Sequence, residues 1–313
     1  MGVDLGGTHL RAAAVGDDGR LESPVEAPTD ARRGASAVLD SLERLLRDLL
    51  ARHPDARAVG VACAGQIDRS TGTVVYAPNL DWREVPLGAR LRAALAAPVA
   101  VENDVRAAAW GEFRFGAGAG AQSLLAVFVG TGVGSGAVLA GALWRGAHNG
   151  AGEIGHTQVV PDGLPCPCGR LGCMEQYASG SGLQRRLGRA LAARAPTALR
   201  EATGGDPARL TAAMVWRAAA EGDRLARELQ AEAERYLTLA VANYVTLVDP
   251  EVLVLGGGVV ETVPALFDVV AAGVRRATTE LARAVRIERA RLGRWAGVVG
   301  AAALAAGALA GDA

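Results

Sequence analysis

Four residues that can bind a metal lie between residues 156 and 173. His156, Cys166, Cys168 and Cys173 occupy the stretch HTQVVPDGLPCPCGRLGC, which holds three of the chain's four cysteines. Three thiolates and one imidazole suit tetrahedral Zn²⁺, and the intervening Pro and Gly residues supply the turns that bring the thiolates together. Because four protein ligands leave no position for water, such a zinc would be structural. The alternative is a set of reduced cysteines without a metal.

An acidic residue follows a predicted buried strand. The segment PVAVENDV predicts a strand that ends at charged residues, and Asp104 lies directly after it. Open α/β sheets bind ligands at the carboxyl ends of their strands, so this carboxylate is a candidate general base. The alternative is a helix N-cap, which is worth about 1 kcal/mol.

Two glycine-rich turns indicate anion binding. The segments DLGGTHLRAAAV and GTGVGSGAVLAG each place such a turn between two short strands, and together they look like an internal repeat. Without bulky side chains at the bend, backbone N–H groups can approach an anion closely. Two facing turns would hold a polyphosphate between two domains. The alternative is a pair of ordinary hairpins.

The chain contains no lysine, and all of its basic residues are arginine. A Walker A loop, a protein kinase and a Schiff-base enzyme each need a lysine, so these classes are excluded. The G-x-S-x-G motif of hydrolases is also absent from the sequence. Phosphate chemistry would therefore use backbone amides, hydroxyls, arginine or a metal ion.

Hydrophobic periodicity predicts alternating strands and helices. Strands are expected at residues 2–4, 9–15 and 20–25 and in the segments AVGVAC, PVAVENDV, SLLAVFV, PEVLVLGGG and AVRIERA. Helices are expected at residues 36–52 and 86–97, from the cysteine stretch to about residue 243, and at the end of the chain. This alternation predicts an α/β fold, and 313 residues favour two domains over one.

Charge and hydropathy indicate a cytoplasmic protein without nucleic-acid or membrane partners. The formal net charge is zero, which gives no attraction to an acidic surface. Asp4 lies where the apolar segment of a signal peptide would form, and no apolar run is long enough to span a bilayer. A lone Cys63 and a tight cluster of three cysteines do not resemble a secreted disulfide framework.

The motifs, taken in order, resemble the ROK family of bacterial sugar kinases, and its glucokinases in particular. The matching segments cover essentially the full length: DLGGT, GQID, TGTVVYAPNLDW, ENDVRAAAWGE, GTGVGSGAVLAGALWRG, AGEIGH, CPCGRLGCME and VLVLGGG. The resemblance implies an actin-like, ribonuclease-H-like fold of two α/β domains with a central cleft and a structural zinc loop. It implies a small domain at residues 1–112, completed by a C-terminal helix at about 297–313, and a large domain at 113–296.

The resemblance also implies ATP-dependent phosphorylation of the 6-hydroxyl of a hexose, with glucose as the first candidate. Asp104 matches the family's catalytic position, where it would accept the proton of the attacking hydroxyl. His156 would bind zinc through one ring nitrogen and the sugar through the other. The residues expected to bind the sugar are Gly65, Asn79, Asn103, Asp104, Glu153, His156 and Glu175.

For the nucleotide, the resemblance implies ATP with Mg²⁺. Asp4 would hold Mg²⁺ through water, and Gly6, Gly7 and Thr8 would face the γ-phosphate. Gly130, Thr131 and Gly132 would bind the other phosphates, and Gly256 and Gly257 would contact adenosine. A homodimer or homotetramer is the family's usual assembly.

Four alternatives are weighed against a glucokinase. A kinase for mannose, fructose, N-acetylmannosamine or N-acetylglucosamine would differ by small changes; Ala64, where the family usually has proline, lies near the expected sugar site. A non-catalytic sugar sensor would not need Asp104. A repressor of this family carries a DNA-binding domain before DLGGT, for which we see no room. A zinc hydrolase needs an open metal site, which four ligands would close.

Overall fold

The structure of the protein is a computed structural model that describes residues 1–310. Its strands are β1 (Gly2–Leu5), β2 (His9–Val15), β3 (Leu21–Pro28), β4 (Val59–Cys63), β5 (Gln66–Asp68), β6 (Thr73–Ala77), β7 (Trp82–Val85), β8 (Val99–Asn103), β9 (Leu124–Val129), β10 (Val133–Leu139), β11 (Ala142–Trp144), β12 (Val252–Gly256) and β13 (Arg286–Arg289). Its helices are α1 (Ala35–Arg52), α2 (Leu87–Ala94), α3 (Asp104–Phe115), α4 (Glu175–Ala178), α5 (Gly180–Ala192), α6 (Leu199–Ala202), α7 (Ala212–Ala220), α8 (Arg224–Val248), α9 (Gly258–Thr262), α10 (Pro264–Ala277) and α11 (Ala296–Ala310).

The first sheet has the strand order β3-β2-β1-β4-β8. β1 pairs with β2 in antiparallel fashion, whereas β1, β4 and β8 are parallel. In this register Leu5 lies beside Cys63, and Cys63 lies beside Asn103. The carboxyl ends of the three parallel strands therefore lie at the same edge of the sheet, where α/β proteins bind ligands.

The second sheet repeats this plan with the strand order β11-β10-β9-β12-β13. If the strands of each sheet are counted in chain order within that sheet, both sheets have the order third, second, first, fourth and fifth. This shared order supports the predicted internal repeat. The two glycine-rich turns occupy matching places: one joins β1 to β2, and the other joins β9 to β10.

A third, three-stranded sheet has the order β5-β6-β7 and was not predicted from the sequence. Its strands contain three to five residues and expose apolar side chains such as Val75 and Tyr76, so the burial does not follow a clean two-residue period. The other predicted strands and the helix over 36–52 are confirmed, although β3 extends to Pro28 and α8 to Val248. The α1 helix forms because Val38, Leu42, Leu46 and Leu49 recur at helical spacing and are all buried.

The chain divides into two compact units. Among the described residues, the first unit comprises 1–124, 136–152 and 290–310, and the second comprises 125–135 and 153–289. The predicted α/β, two-domain organisation is confirmed, whereas the domain boundaries at 112 and 296 stay a prediction. Residues 311–313 of the predicted C-terminal helix lie outside the described part.

Within the first unit, α11 packs against α3 and β4. Glu112, the last acid of the motif ENDVRAAAWGE, is fully buried at the end of α3. Its carboxylate accepts hydrogen bonds from the backbone N–H groups of Arg291 and Leu292, just before α11, and from Ala117 N–H. A buried carboxylate that accepts several N–H groups fixes a loop in place, so Glu112 anchors the chain that leads into α11.

Within residues 1–310, no helix combines the length and the apolar character needed to cross a lipid bilayer.

Candidate functional site

The first unit gathers predicted site residues at the carboxyl edge of its parallel strands. Asp4 lies in β1, Gly65 follows β4, and Asn103 and Asp104 lie where β8 passes into α3. The side-chain amide of Asn103 donates to the carbonyl of Gly65 at 3.1 Å and to Asp104 Oδ1 at 2.9 Å. The sheet register thus brings Gly65 and Asn103, from two separate motifs, into contact.

Asp4 and Asp104 form a pair of acids that lie close enough to influence each other. The pKa of Asp4 is raised to about 7, chiefly by burial and then by the neighbouring Asp104, while Arg11 partly opposes both. Arg11 Nη1 lies 3.7 Å from Asp4 Oδ2. Two carboxylates in a poorly solvated position repel each other, and a bound divalent cation would relieve that repulsion.

Asn103, and not Asp104, is the N-cap of α3. Its Oδ1 accepts the backbone N–H groups of Val105 and Arg106, each at 3.1 Å. With the two amide hydrogens donated to Gly65 and Asp104, both donors and both lone pairs of the Asn103 side chain are engaged. The predicted sugar contact of Asn103 stays a prediction, and it would have to replace one of these hydrogen bonds.

The first glycine-rich turn lies against the loop that carries Asn79. A Cβ atom at Gly7 would lie 2.3 Å from the carbonyl oxygen of Asn79, so any larger residue would push the two segments apart. Gly6 N–H donates to His9 carbonyl, and Gly6 carbonyl accepts from the Thr29 hydroxyl. The structure therefore brings the predicted phosphate turn and a predicted sugar residue together.

A buried ion cluster lies directly behind the carboxyl end of β8. Glu102 Oε1 accepts from Asn103 N–H at 2.8 Å and pairs with the Arg106 guanidinium at 2.8 Å, while Oε2 accepts from Arg145 Nε at 2.7 Å. Arg106 also donates to the carbonyl of Ala151 at 3.3 Å. Burial would raise the pKa of Glu102, but the two arginines and the Asn103 N–H together hold it below its usual value. The cluster ties the start of α3 to residues 145–151.

In the second unit, the turn at residues 130–132 lies beside the end of β12. Gly257 has a φ of +91°, and a Cβ atom there would lie 2.5 Å from the Val129 carbonyl oxygen. Glycine is therefore required where β12 passes the residue before the turn. The predicted phosphate residues 130–132 and the predicted adenosine residues Gly256 and Gly257 are brought together.

His156, Cys166, Cys168 and Cys173 form one cluster, with their candidate ligand atoms all within 4.8 Å of one another. His156 Nδ1 lies 3.7 Å from Cys166 Sγ, and Cys168 Sγ lies 3.6 Å from Cys173 Sγ. Zn–S bonds of about 2.3 Å in a tetrahedron place neighbouring sulfurs about 3.8 Å apart, so these residues fit zinc. Nδ1 faces the thiols, which leaves Nε2 of His156 for a second contact.

The surroundings of the thiols also suit a metal. Burial would raise the pKa of Cys168, but the Arg170 backbone N–H and the neighbouring thiols lower it to about 6. Burial raises the pKa of Cys166, and burial with the neighbouring thiols raises that of Cys173 to about 12, so a bound cation would be needed to hold all three as thiolates. The amide of the buried Gln176 donates to Cys166 Sγ at 3.3 Å, and Arg185 Nε in turn holds Gln176 Oε1 at 3.0 Å. Donors of this kind orient thiolate ligands and offset their charge.

The two glutamates that flank the candidate metal ligands have different environments. Glu153 is exposed and starts the short 3₁₀ turn that ends at His156. Glu175 is half-buried, begins α4, and accepts the backbone N–H of Val133 through Oε2 at 2.9 Å. The second unit thus places Glu175 against the residue that follows the 130–132 turn.

Four residues of these networks were not predicted as functional. Glu102 and Arg106 lie within the recognised motif ENDVRAAAWGE, and charged residues in a buried strand–helix junction could have signalled a buried ion pair. Arg145 and Gln176 gave no local signal, because each acts through a partner that only the fold places beside it.

Comparisons with known proteins show the family of the chain. The sequence matches the ROK family over residues 1–308. It is 36% identical to a glucokinase of Streptomyces coelicolor, over 97% of this chain and 96% of that protein. The structure resembles a ROK family glucokinase from Streptomyces griseus, solved in complex with glucose and AMPPNP, with 37% identity, a TM-score of 0.79 and coverage of 97% and 98% of the two chains. It also resembles a ROK hexokinase from Thermus thermophilus, with 32% identity, a TM-score of 0.83 and coverage of 99% and 98%. The chain therefore belongs to the ROK family.

Proposed function

We propose that the protein is an ATP-dependent glucokinase that converts glucose to glucose 6-phosphate. The observation that carries the proposal is full-length similarity to glucokinases, one of which was solved with glucose and an ATP analogue. The position of Asp104 at the carboxyl edge of the parallel strands supports it independently, because ligands of α/β proteins bind at that edge.

Asp104 is the proposed general base. It accepts the proton of the glucose 6-hydroxyl while that oxygen attacks the γ-phosphorus and the bond to the β-phosphate oxygen breaks. The side-chain amide of Asn103 donates a hydrogen bond to Asp104 Oδ1 at 2.9 Å, which fixes the orientation of the Asp104 carboxylate before the sugar binds. Phosphoryl transfer depends mainly on positioning and charge stabilisation, so a correctly aimed base contributes through geometry as well as basicity.

The sugar is proposed to bind to Gly65, Asn79, Asn103, Glu153, His156 and Glu175. Each sugar hydroxyl is both a donor and an acceptor, so carboxylates, amides and an imidazole are suitable partners. His156 would use Nε2 for this contact, since its Nδ1 faces Cys166. Zn²⁺ is proposed at the Cys₃His cluster, where it would be structural.

The nucleotide is proposed to bind through backbone groups. Residues 6–8 and 130–132 would donate N–H groups to the phosphates, and Gly256 and Gly257 would lie against adenosine. Mg²⁺, when bound with ATP, would neutralise charge on the phosphates. Asp4 would hold that ion through water, and its proximity to Asp104 makes a cation favourable there.

The experiment is ADP release with ATP and Mg²⁺ across glucose, mannose, fructose, N-acetylglucosamine and N-acetylmannosamine, with polyphosphate tested as a second donor. Strong turnover on glucose supports the proposal. Turnover on another hexose would change the proposed substrate but not the proposed mechanism. Ala64, near the expected sugar site, would then be the first residue to mutate. Absence of turnover with every combination of sugar and phosphoryl donor would support a sugar sensor instead.

A cytoplasmic location and a homodimer or homotetramer are proposed with the glucokinase function.

A further inference from the structure

We propose that Glu175 is a positioning residue for the nucleotide phosphates, in addition to its expected sugar contact. The inference rests on the proposed kinase function. In this role, the residues that follow Cys173 support the turn at residues 130–132, which we call the phosphate turn.

The first observation is a direct hydrogen bond. Glu175 Oε2 accepts the backbone N–H of Val133, the residue that follows the phosphate turn, at 2.9 Å. Val133 is buried, so its N–H would lose a partner that water could not easily replace. A Cβ atom at Gly132 would lie 2.6 Å from the same carboxylate oxygen, so the turn and the carboxylate fit closely.

The second observation is that Glu175 is joined to the Cys₃His cluster through short chain segments and a backbone hydrogen bond. It lies two residues after Cys173 and is the first residue of α4. Met174 between them is fully buried, and its N–H donates to the Thr157 carbonyl, one residue after His156. The Glu175 carboxylate is therefore attached to a segment that starts at Cys173 and is hydrogen-bonded to the residue after His156.

The third observation is that neighbouring segments support the same turn. Gly180 N–H donates to the Gly130 carbonyl at 2.9 Å, and Ser181 N–H donates to the Thr131 carbonyl at 3.1 Å. On the other side of the cluster, a Cβ atom at Gly155 would lie 2.1 Å from the Val133 carbonyl oxygen. Both flanks of the cluster thus contact residues 130–133.

These contacts assign two tasks to one carboxylate. Oε2 fixes the backbone that leaves the phosphate turn, and Oε1 is the oxygen left for a sugar hydroxyl. If the turn samples other conformations once Oε2 is removed, nucleotide affinity falls in proportion to the fraction of molecules that keep the competent turn. The loss of nucleotide affinity should be seen even when no sugar is present. Removing a residue that contacts only the sugar would not cause such a loss.

The test is the dissociation constant of Mg-AMPPNP, measured by calorimetry in the absence of sugar. Glu175→Leu removes the acceptor, and we expect affinity to fall about tenfold. Glu175→Gln keeps an oxygen that can accept the Val133 N–H, so we expect it to restore most of the affinity. Glu153→Gln is the matched control: we expect weaker glucose binding but the native nucleotide dissociation constant, because Glu153 is exposed and starts the opposite flank.

Amide hydrogen exchange at Val133 provides a second readout that needs no ligand. We expect faster exchange in Glu175→Leu and near-native exchange in Glu175→Gln, with melting curves confirming that each variant is folded. Native nucleotide affinity in Glu175→Leu, with the native protein binding normally, would overturn this inference and leave the kinase proposal intact. Failure of the native protein to bind Mg-AMPPNP would instead overturn the kinase proposal and this inference with it.

Discussion

Asn103 donates a side-chain hydrogen bond to Asp104 at 2.9 Å while the same side chain caps α3. At this strand–helix junction the sequence allows two roles, helix N-cap and general base, and Asn103 takes the first of them. Because Asn103 supplies the cap, the carboxylate of Asp104 is not needed for it. The N-cap alternative for Asp104 is therefore wrong, and its proposed role as base is consistent with the local structure.

Exchanging Asn103 should separate these two roles. Asn103→Ser keeps an oxygen that can cap α3 but loses both amide donors, and it adds no charge beside Asp104. We expect nearly native stability with a large fall in turnover. Asn103→Ala loses the cap as well, and we expect an additional destabilisation of about 1 kcal/mol. Urea unfolding and steady-state kinetics on both variants check this, and equal stability losses in the two would contradict it.

Asp104→Asn should remove turnover and leave the fold and sugar binding nearly native. The amide has about the same shape as the carboxylate but cannot accept the hydroxyl proton, so the loss should appear in kcat and hardly in glucose affinity. Turnover gives the first quantity and calorimetry with glucose gives the second. A variant that retains near-native kcat would exclude Asp104 as the base.

The Glu102 cluster predicts a pH-dependent contribution to stability. The pKa of Glu102 is lower in the folded protein than its ordinary 4.5, so its charge stabilises the fold above pH 4.5. That contribution is lost as pH falls through the lower, folded value. Glu102→Gln leaves the buried Arg106 and the half-buried Arg145 without a counter-charge, and we expect a loss of about 3 kcal/mol at pH 7.

Urea unfolding of both proteins from pH 7 to acid conditions checks this prediction. The difference between native protein and variant should shrink below pH 4.5, because protonated Glu102 is neutral like glutamine. Glu228→Gln is the control: it removes an exposed pair with Arg224, and we expect less than about 0.5 kcal/mol. A difference that stays constant with pH would argue against the ion cluster as its source.

Removal of zinc should destabilise the second unit. We expect about one zinc per chain by elemental analysis, and a lower melting temperature after treatment with a strong chelator. Cys166→Ser should lose zinc, whereas Cys63→Ala should keep it, because Cys63 is buried in β4 and lies outside the cluster. A metal-free native protein with full activity would contradict a structural zinc.

Features that depend on local chain chemistry could be predicted from the sequence. The candidate zinc ligands Cys166, Cys168 and Cys173 lie close along the chain, and the turns between them suffice to bring the thiols together. The two glycine-rich turns follow from glycine between short strands, and the α/β class follows from the alternation of strand and helix periods. In each case the preferences of the residues and their nearest neighbours already restrict the backbone.

Tertiary structure alone decided which distant groups become partners. Glu175 and Val133 are 42 residues apart, and Arg145 and Glu102 are 43 residues apart, yet each pair forms a hydrogen bond. A periodic pattern shows that a side chain is buried but not which donor meets it, since that depends on how sheets and helices pack. The saturated hydrogen bonding of Asn103 has the same origin, because the Gly65 carbonyl reaches it only through the parallel register of β4 and β8.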